Sequence, residues 1–308
     1  MIKLIRYQPD QKNLWDDFLT TVKNPHFFFN RAYMDYHSDR FNDHSLLVYH
    51  RDELVALFPA NEQDHGLYSH QGLSFGGLLM SSKVTAAMAC GIIEALKLHG
   101  QAYGFKHLLY KAMPSIYHQL PSQEDLYALT LAGARLIRRD LSTTVDIHRR
   151  LPYQERRRRG IKKATQNHIH ILEETPFDSF WRILSDALER HDTKPVHTLQ
   201  EITLLHSRFP QNIRLVCAKK EEETVAGVVV FETNTVAHAQ YIASSPQGRE
   251  LGALDAIFDH LITTCTKNHF DFGISTTEQG KMLNQGLVEQ KEGFGGRAIV
   301  HDFYQLDL

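Results

Sequence analysis

A two-domain α+β protein is predicted by three observations. Strand-like and helix-like segments alternate along the chain, the composition shifts sharply once, and the two halves share one rhythm of elements. The shift falls in residues 148–163, HRRLPYQERRRRGIKK, where eight Arg and Lys stand against the single acid Glu155. Pro152 interrupts any helix arriving from the N-terminal side, so the domains are placed at residues 1–150 and 151–308.

The first half opens with helical spacing over residues 15–22. Residues 45–49 (SLLVY), 53–59 (ELVALFP) and 66–69 follow as a strand, a hairpin and a strand, and 70–77 (HQGLSFGG) is a glycine-marked loop. Residues 83–99 form a helix with Met88, Ile92, Ala95 and Leu96 on one face, and 108–110 and 141–147 are further strands. The second half repeats the rhythm. Residues 213–218 (IRLVCA), 225–231 (VAGVVVF) and 236–243 (VAHAQYIA) are β-branched, apolar runs. After the loop 244–252 (SSPQGRELG) the period becomes helical, with Leu254, Ile257, Phe258, Leu261 and Ile262 on one face, and the last strand covers 298–303. A strand–loop–helix unit of this kind turns backbone N–H groups toward solvent, which suits a phosphate or pyrophosphate. No repeat in the residues themselves accompanies the shared rhythm.

Composition excludes several classes. With 34 basic and 36 acidic residues the chain has no global field for nucleic acid or membrane. No apolar run approaches the ~20 residues of a membrane span, and the N-terminus lacks the pattern of a signal peptide. Cys90, Cys217 and Cys265 are too scattered for a metal or redox motif, as expected of a cytoplasmic protein. His168 and His170 share a strand face without a third ligand, so no metal site is expected, and no G-x-S-x-G elbow is present. The sequence assigns no oligomeric state.

Two short motifs carry a family resemblance. Residues 157–164 (RRRGIKKA), with His168 and a strand behind them, are similar to the basic helix of the Fem-type peptidyltransferases and FemAB-like proteins. Residues 291–296 (KEGFGG) resemble the late Lys-x-x-Phe-Gly turn of that branch of the GNAT acyltransferase superfamily, and residues 69–77 fit its first domain less specifically. The resemblance implies tandem GNAT-like domains, each a mixed, mostly antiparallel sheet flanked by helices. It also implies transfer of an acyl or aminoacyl group from acyl-coenzyme A or aminoacyl-tRNA to a primary amine, with no tightly bound cofactor. The acceptor classes it suggests are an amino sugar, a peptide or a cell-envelope precursor. Gly248, Arg249, Gly252 and Ala253 take the place of the loop that binds coenzyme A, but Leu254 replaces its last small residue and Glu250 adds a negative charge.

The candidate site residues follow. Arg156, Arg159 and Lys163, spaced by three and four, present three cations on one helix face for the phosphates of a substrate such as tRNA. On the 236–243 strand, His238 is a candidate base and Tyr241 a candidate acid, although simple alternation puts them on opposite faces. Lys291 is placed to stabilise charge beside the glycine turn, with Asn284 near it, and His70 and Gln71 are placed in an acceptor cleft. Each of these residue types also serves as ordinary core, cap or solvated surface. The reading from a different class is a non-catalytic GNAT-like protein that binds an anionic metabolite or RNA.

Overall fold

The computed structural model describes residues 1–190 and 192–308. The chain divides into two compact units, Met1–Asp140 with Glu278–Lys281 and Val300–Leu308, and Leu141–Thr277 with Met282–Ile299. The boundary placed at Leu151 therefore moves. Residues 142–146 pair with the strand His269–Ile274 and belong to the second unit, whereas residues 303–307 pair with His107–Lys111 and belong to the first.

The first unit holds strands β1 (Ile2–Arg6), β2 (Leu46–His50) and β3 (Glu53–Phe58), joined antiparallel in that order with the short strand Leu79–Met80. A further strand, β4 (Gly66–Tyr68), pairs in parallel with β5 (His107–Lys111). Helix α1 (Ala86–Ala102) starts where the Thr85 side chain accepts from Met88 N–H, and it buries Ile92, Ile93 and Leu96 in the same core as Val48, Phe58 and Leu108. Helix α2 (Glu124–Leu131) completes that core with Ala128 and Leu129.

Strand β6 (Arg135–Asp146) enters the second unit, where helix α3 (Glu155–Gln166) precedes β7 (Ile169–Glu173). Helices α4 (Asp178–Glu189) and α5 (Leu199–Arg208) lead to β8 (Ile213–Lys220), β9 (Glu223–Glu232) and β10 (Val236–Ser244). Then come α6 (Pro246–Leu251), α7 (Ala253–Thr263), β11 (His269–Ile274), α8 (Gln285–Glu292) and β12 (Arg297–Asp307). The sheet order is β7-β8-β9-β10-β11-β6, antiparallel except for β10 and β11. One face carries α7, with Val228, Val230, Ala237 and Ala239 packed against Ile257 and Phe258. The other carries α4, whose Phe180 lies on Gly227 and whose Trp181 lies on Tyr241.

Two irregularities in β10 position the site. Its parallel pairing with β11 covers only Val236, Ala237 and His238 and ends at the pair His238–Asp271, while β10 runs on to Ser244. The strands part there, leaving that edge of β10 without a strand partner among the described residues. Against β9 the register shifts, with Ala239 opposite Val230 and Tyr241 opposite Val229, so Gln240 is a bulged extra residue. Ala237 and Ala239 face α7, which leaves His238 on the α4 side. The bulge returns Tyr241 to that same side, overturning the opposite faces expected from alternation.

Candidate active site

His238, Asp271 and Ser142 form a hydrogen-bonded chain on the α4 side of the sheet. Phe270 and Phe272 point into the α7 core, so alternation sends Asp271 to the other face, where it is wholly buried. Its Oδ2 lies 2.7 Å from His238 Nδ1, and its Oδ1 accepts from Ser142 Oγ at 2.7 Å. A carboxylate offers only acceptors, so Nδ1 carries the imidazole proton and Nε2 keeps its lone pair. The Cε1–Nε2 edge of the ring faces Gly273, where a Cβ would stand 3.3 Å from Cε1. Gly273 is at φ +80, which also favours glycine.

Lys291, from the last turn of α8, closes the group. Its Nζ donates to the carbonyls of Gly273 (2.7 Å) and Ile274 (2.9 Å) and to Ser275 Oγ (2.8 Å). Burial pushes its pKa down to about 8, and the Asp271 charge opposes that shift. The amine is thus still mostly protonated at neutral pH, and all three of its N–H groups are engaged by protein. Lys291, expected to stabilise charge beside the glycine turn, pins the end of β11 beside His238 through these bonds. The GFGG turn is also a packing device. Phe294 is wholly buried against Phe258 and Phe272, and a Cβ on Gly295 would stand 2.5 Å from the Leu151 carbonyl oxygen. Asn284 caps α8 by accepting from Leu287 N–H at 3.1 Å.

Tyr241 is engaged elsewhere. Its hydroxyl accepts from His197 N–H at 3.2 Å and lies 2.5 Å from His197 Nδ1. The hydroxyl and the His197 ring are therefore hydrogen-bonded to each other, which holds the ring in place. This bond engages the hydroxyl that was expected to return a proton to a leaving group.

The segment expected to cradle coenzyme A is helical and packed against α3. Residues 246–251 coil into α6 instead of staying extended; Gly248 N–H donates to Ser245 Oγ at 3.0 Å and Arg249 N–H to the Ser245 carbonyl at 3.0 Å. The exposed Arg249 turns back onto the Ser244 carbonyl, and Ala253 is wholly buried. Helix α3 lies across the start of α7: Arg157 pairs with Asp255 at 2.5 Å, and a Cβ on Gly252 would stand 2.5 Å from the Gly160 carbonyl oxygen. Gly252 is also left-handed, at φ +75. Gly252→Ala is thus expected to lower unfolding free energy by about 2–4 kcal/mol in urea, combining left-handed strain with a backbone collision. Unchanged stability would show that α3 does not seal this loop.

Arg156, Arg159 and Lys163 are exposed on α3, with Arg159 4.0 Å from Glu155. In the first unit, His70 and Gln71 belong to a closed loop. Gln71 exchanges two hydrogen bonds with Asn61, both 2.7 Å, and Lys111 Nζ donates to the Gln71 and Leu73 carbonyls. His70, at φ +63, is buried and stacks on His37, and burial next to that second ring pushes its pKa down to about 3. These contacts tie the loop expected to line an acceptor cleft to its neighbours in the first unit. Among the described residues no group of three or more His, Cys, Asp or Glu could hold a metal ion, and no helix is long and apolar enough to cross a membrane.

Residues 153–279 match the model of the GNAT acetyltransferase domain. Solved structures extend the likeness over the chain. FemX shares 9% identity at TM-score 0.69, covering 99% of this chain and 97% of that one. The C-terminal domain of a protein described as a lysylphosphatidylglycerol synthetase from Agrobacterium fabrum shares 11% identity at TM-score 0.65, covering 98% and 93%. A tandem GNAT protein from the clavulanic acid biosynthesis pathway shares 10% at TM-score 0.52, covering 100% and 98%. At such identities the likeness is one of fold, and it gives the chain a mixed α/β GNAT architecture. No curated protein matches the sequence.

Proposed function

We propose that this chain, which carries a GNAT acetyltransferase domain in residues 153–279, transfers an acyl or aminoacyl group to a primary amine with His238 as general base. The observation that carries this reading is the His238–Asp271 pair at the point where β10 and β11 part. An acyl group entering that opening meets backbone N–H groups of β10 that have no strand partner, suited to hold its carbonyl oxygen. The Nε2 lone pair of His238 takes a proton from the acceptor ammonium, and the amine attacks the donor carbonyl. The tetrahedral intermediate collapses with loss of the thiolate or alkoxide, which recovers the proton from the imidazolium, and the imidazole so regenerated takes the second proton from the new amide nitrogen and releases it to solvent. Asp271 holds the ring and stabilises that imidazolium, while Lys291 and Ser142 fix the backbone and the carboxylate around it.

The closed α6–α7 segment favours an ester donor over a coenzyme A thioester, and the exposed cations of α3 suit the phosphates of a charged tRNA. Fem-type and lysylphosphatidylglycerol synthetase relatives in fold make a cell-envelope precursor, peptide or amino sugar the acceptor to try. The test supplies purified protein with labelled aminoacyl-tRNA or acetyl-coenzyme A and a panel of such amines. Transfer from the charged tRNA is expected, lost on His238→Ala and weakened with a shallower salt dependence on Arg156→Ala/Arg159→Ala/Lys163→Ala. Full activity of His238→Ala, or no transfer from either donor, sinks the reading.

A further inference from the structure

A cavity apart from the His238–Asp271 pair lies on the same sheet face. It is a cleft of about 560 Å³ at the end of α4, a volume suited to a small molecule. Trp181, Ser185 and Glu189 line it at intervals of four residues, hence from one face of α4, and Asp192, Lys194 and His197 line it from the segment leading to α5. The indole floor is held edge-on to the Tyr241 ring at 5.2 Å, and the His197 wall is fixed by its bond to the Tyr241 hydroxyl. Two carboxylates face one ammonium around the opening, and among the described residues neither Glu189 nor Asp192 is in an ion pair.

We infer that this cleft binds a primary ammonium carried on an apolar chain or ring. An aromatic surface attracts a cation through its π face, and an unpaired carboxylate pair gives the ammonium its hydrogen-bond acceptors. A neutral ligand of the same shape gains only the contact with Trp181 and Pro195, and an anion meets two carboxylates, Glu189 and Asp192, against the single ammonium of Lys194. The Gln240 bulge is what makes the position useful. It sets Tyr241, the support of this cleft, on the same face of β10 as His238 and roughly 10 Å along the strand. The cleft then selects amine acceptors by charge and delivers them along that face. That last link rests on the acyl-transfer reading; the binding does not.

Fluorescence reads the binding without turnover. The chain has two tryptophans, and Trp15 is wholly buried in the first unit, so Trp181 reports on the cleft. Titration with n-hexylammonium is expected to change the emission saturably, at least tenfold more tightly than 1-hexanol or hexanoate. Trp181→Phe should abolish the change, and the surface variant Glu189→Gln/Asp192→Asn should weaken binding at least tenfold at unchanged melting temperature. Equal binding of hexanol, tighter binding of hexanoate, or wild-type affinity in the double variant overturns the proposal. His238→Ala should bind hexylammonium normally. Ammonium binding with no transfer from any donor would remove the acyl-transfer reading and leave the cleft standing.

Discussion

Asp271→Asn should lower kcat by about 10²–10⁴-fold, with a much smaller change in KM. Two donors converge on this buried carboxylate, His238 Nδ1 and Ser142 Oγ. An amide supplies one acceptor oxygen and turns its NH₂ to the other partner. If that partner is His238, the ring must take the opposite tautomer, which puts the proton on Nε2 and removes the lone pair that accepts from the ammonium. If it is Ser142, the serine loses its acceptor and the ring keeps a neutral support in place of a charged one. In either arrangement the imidazolium formed during attack loses the adjacent negative charge that stabilises it. Measuring kcat and KM in wild type, Asp271→Asn, His238→Ala and the double variant, with the unfolding free energy of each, separates a role in chemistry from one in folding. Because the two residues act as a unit, the double variant should be no slower than His238→Ala. Fully additive losses in the double variant would make Asp271 purely structural.

The second large effect is on stability and lies in the first unit. Asp125, in the first turn of α2, is buried with its carboxylate accepting from the Tyr110 hydroxyl and from Leu126 N–H. Burial outweighs those bonds and raises its pKa from 3.8 to about 6. The folded protein thus holds a proton that the unfolded chain has released between these two values. The stabilising contribution is fully present below about pH 4 and is lost as pH rises through about 6, a total on the order of 3 kcal/mol. Asp125→Asn cannot titrate. The difference in unfolding free energy between wild type and variant, measured in urea at pH 4 and again at pH 7.5, should change by roughly that amount, with wild type relatively better at pH 4. A difference independent of pH would mean that Asp125 is ionised in the folded state at both values.

The periodic elements were legible because their signals are local. The β-branched runs became β8, β9 and β10, and Leu254, Ile257, Phe258, Leu261 and Ile262 lie on the helix they predicted. His238 was singled out from the same strand. Its partner Asp271 was not, although an acid flanked by Phe270 and Phe272 in an apolar run is itself a sign of a buried charge with a task. The bulge at Gln240 has no such sign, since it depends on how β10 meets β9. The same holds for Lys291: its motif marked it, but only the folded chain shows three backbone and hydroxyl acceptors closing around its amine. The glycines at 248–252 show a related limit, because glycine admits a tight helix crossing as readily as a phosphate, and only the folded chain shows the crossing with α3.

The return of residues 300–308 to the first unit orders events on the ribosome. Strand β5 pairs with residues 303–307, which emerge only after the whole second unit has been made. The N-terminal half cannot finish folding while the rest is being translated; it must wait with one edge of β5 open, and a chaperone that covers open strand edges would find its client there. Splitting the gene at residue 150 would leave that edge permanently bare, so the two units are expected to be expressible only as one polypeptide, or as fragments that exchange this strand.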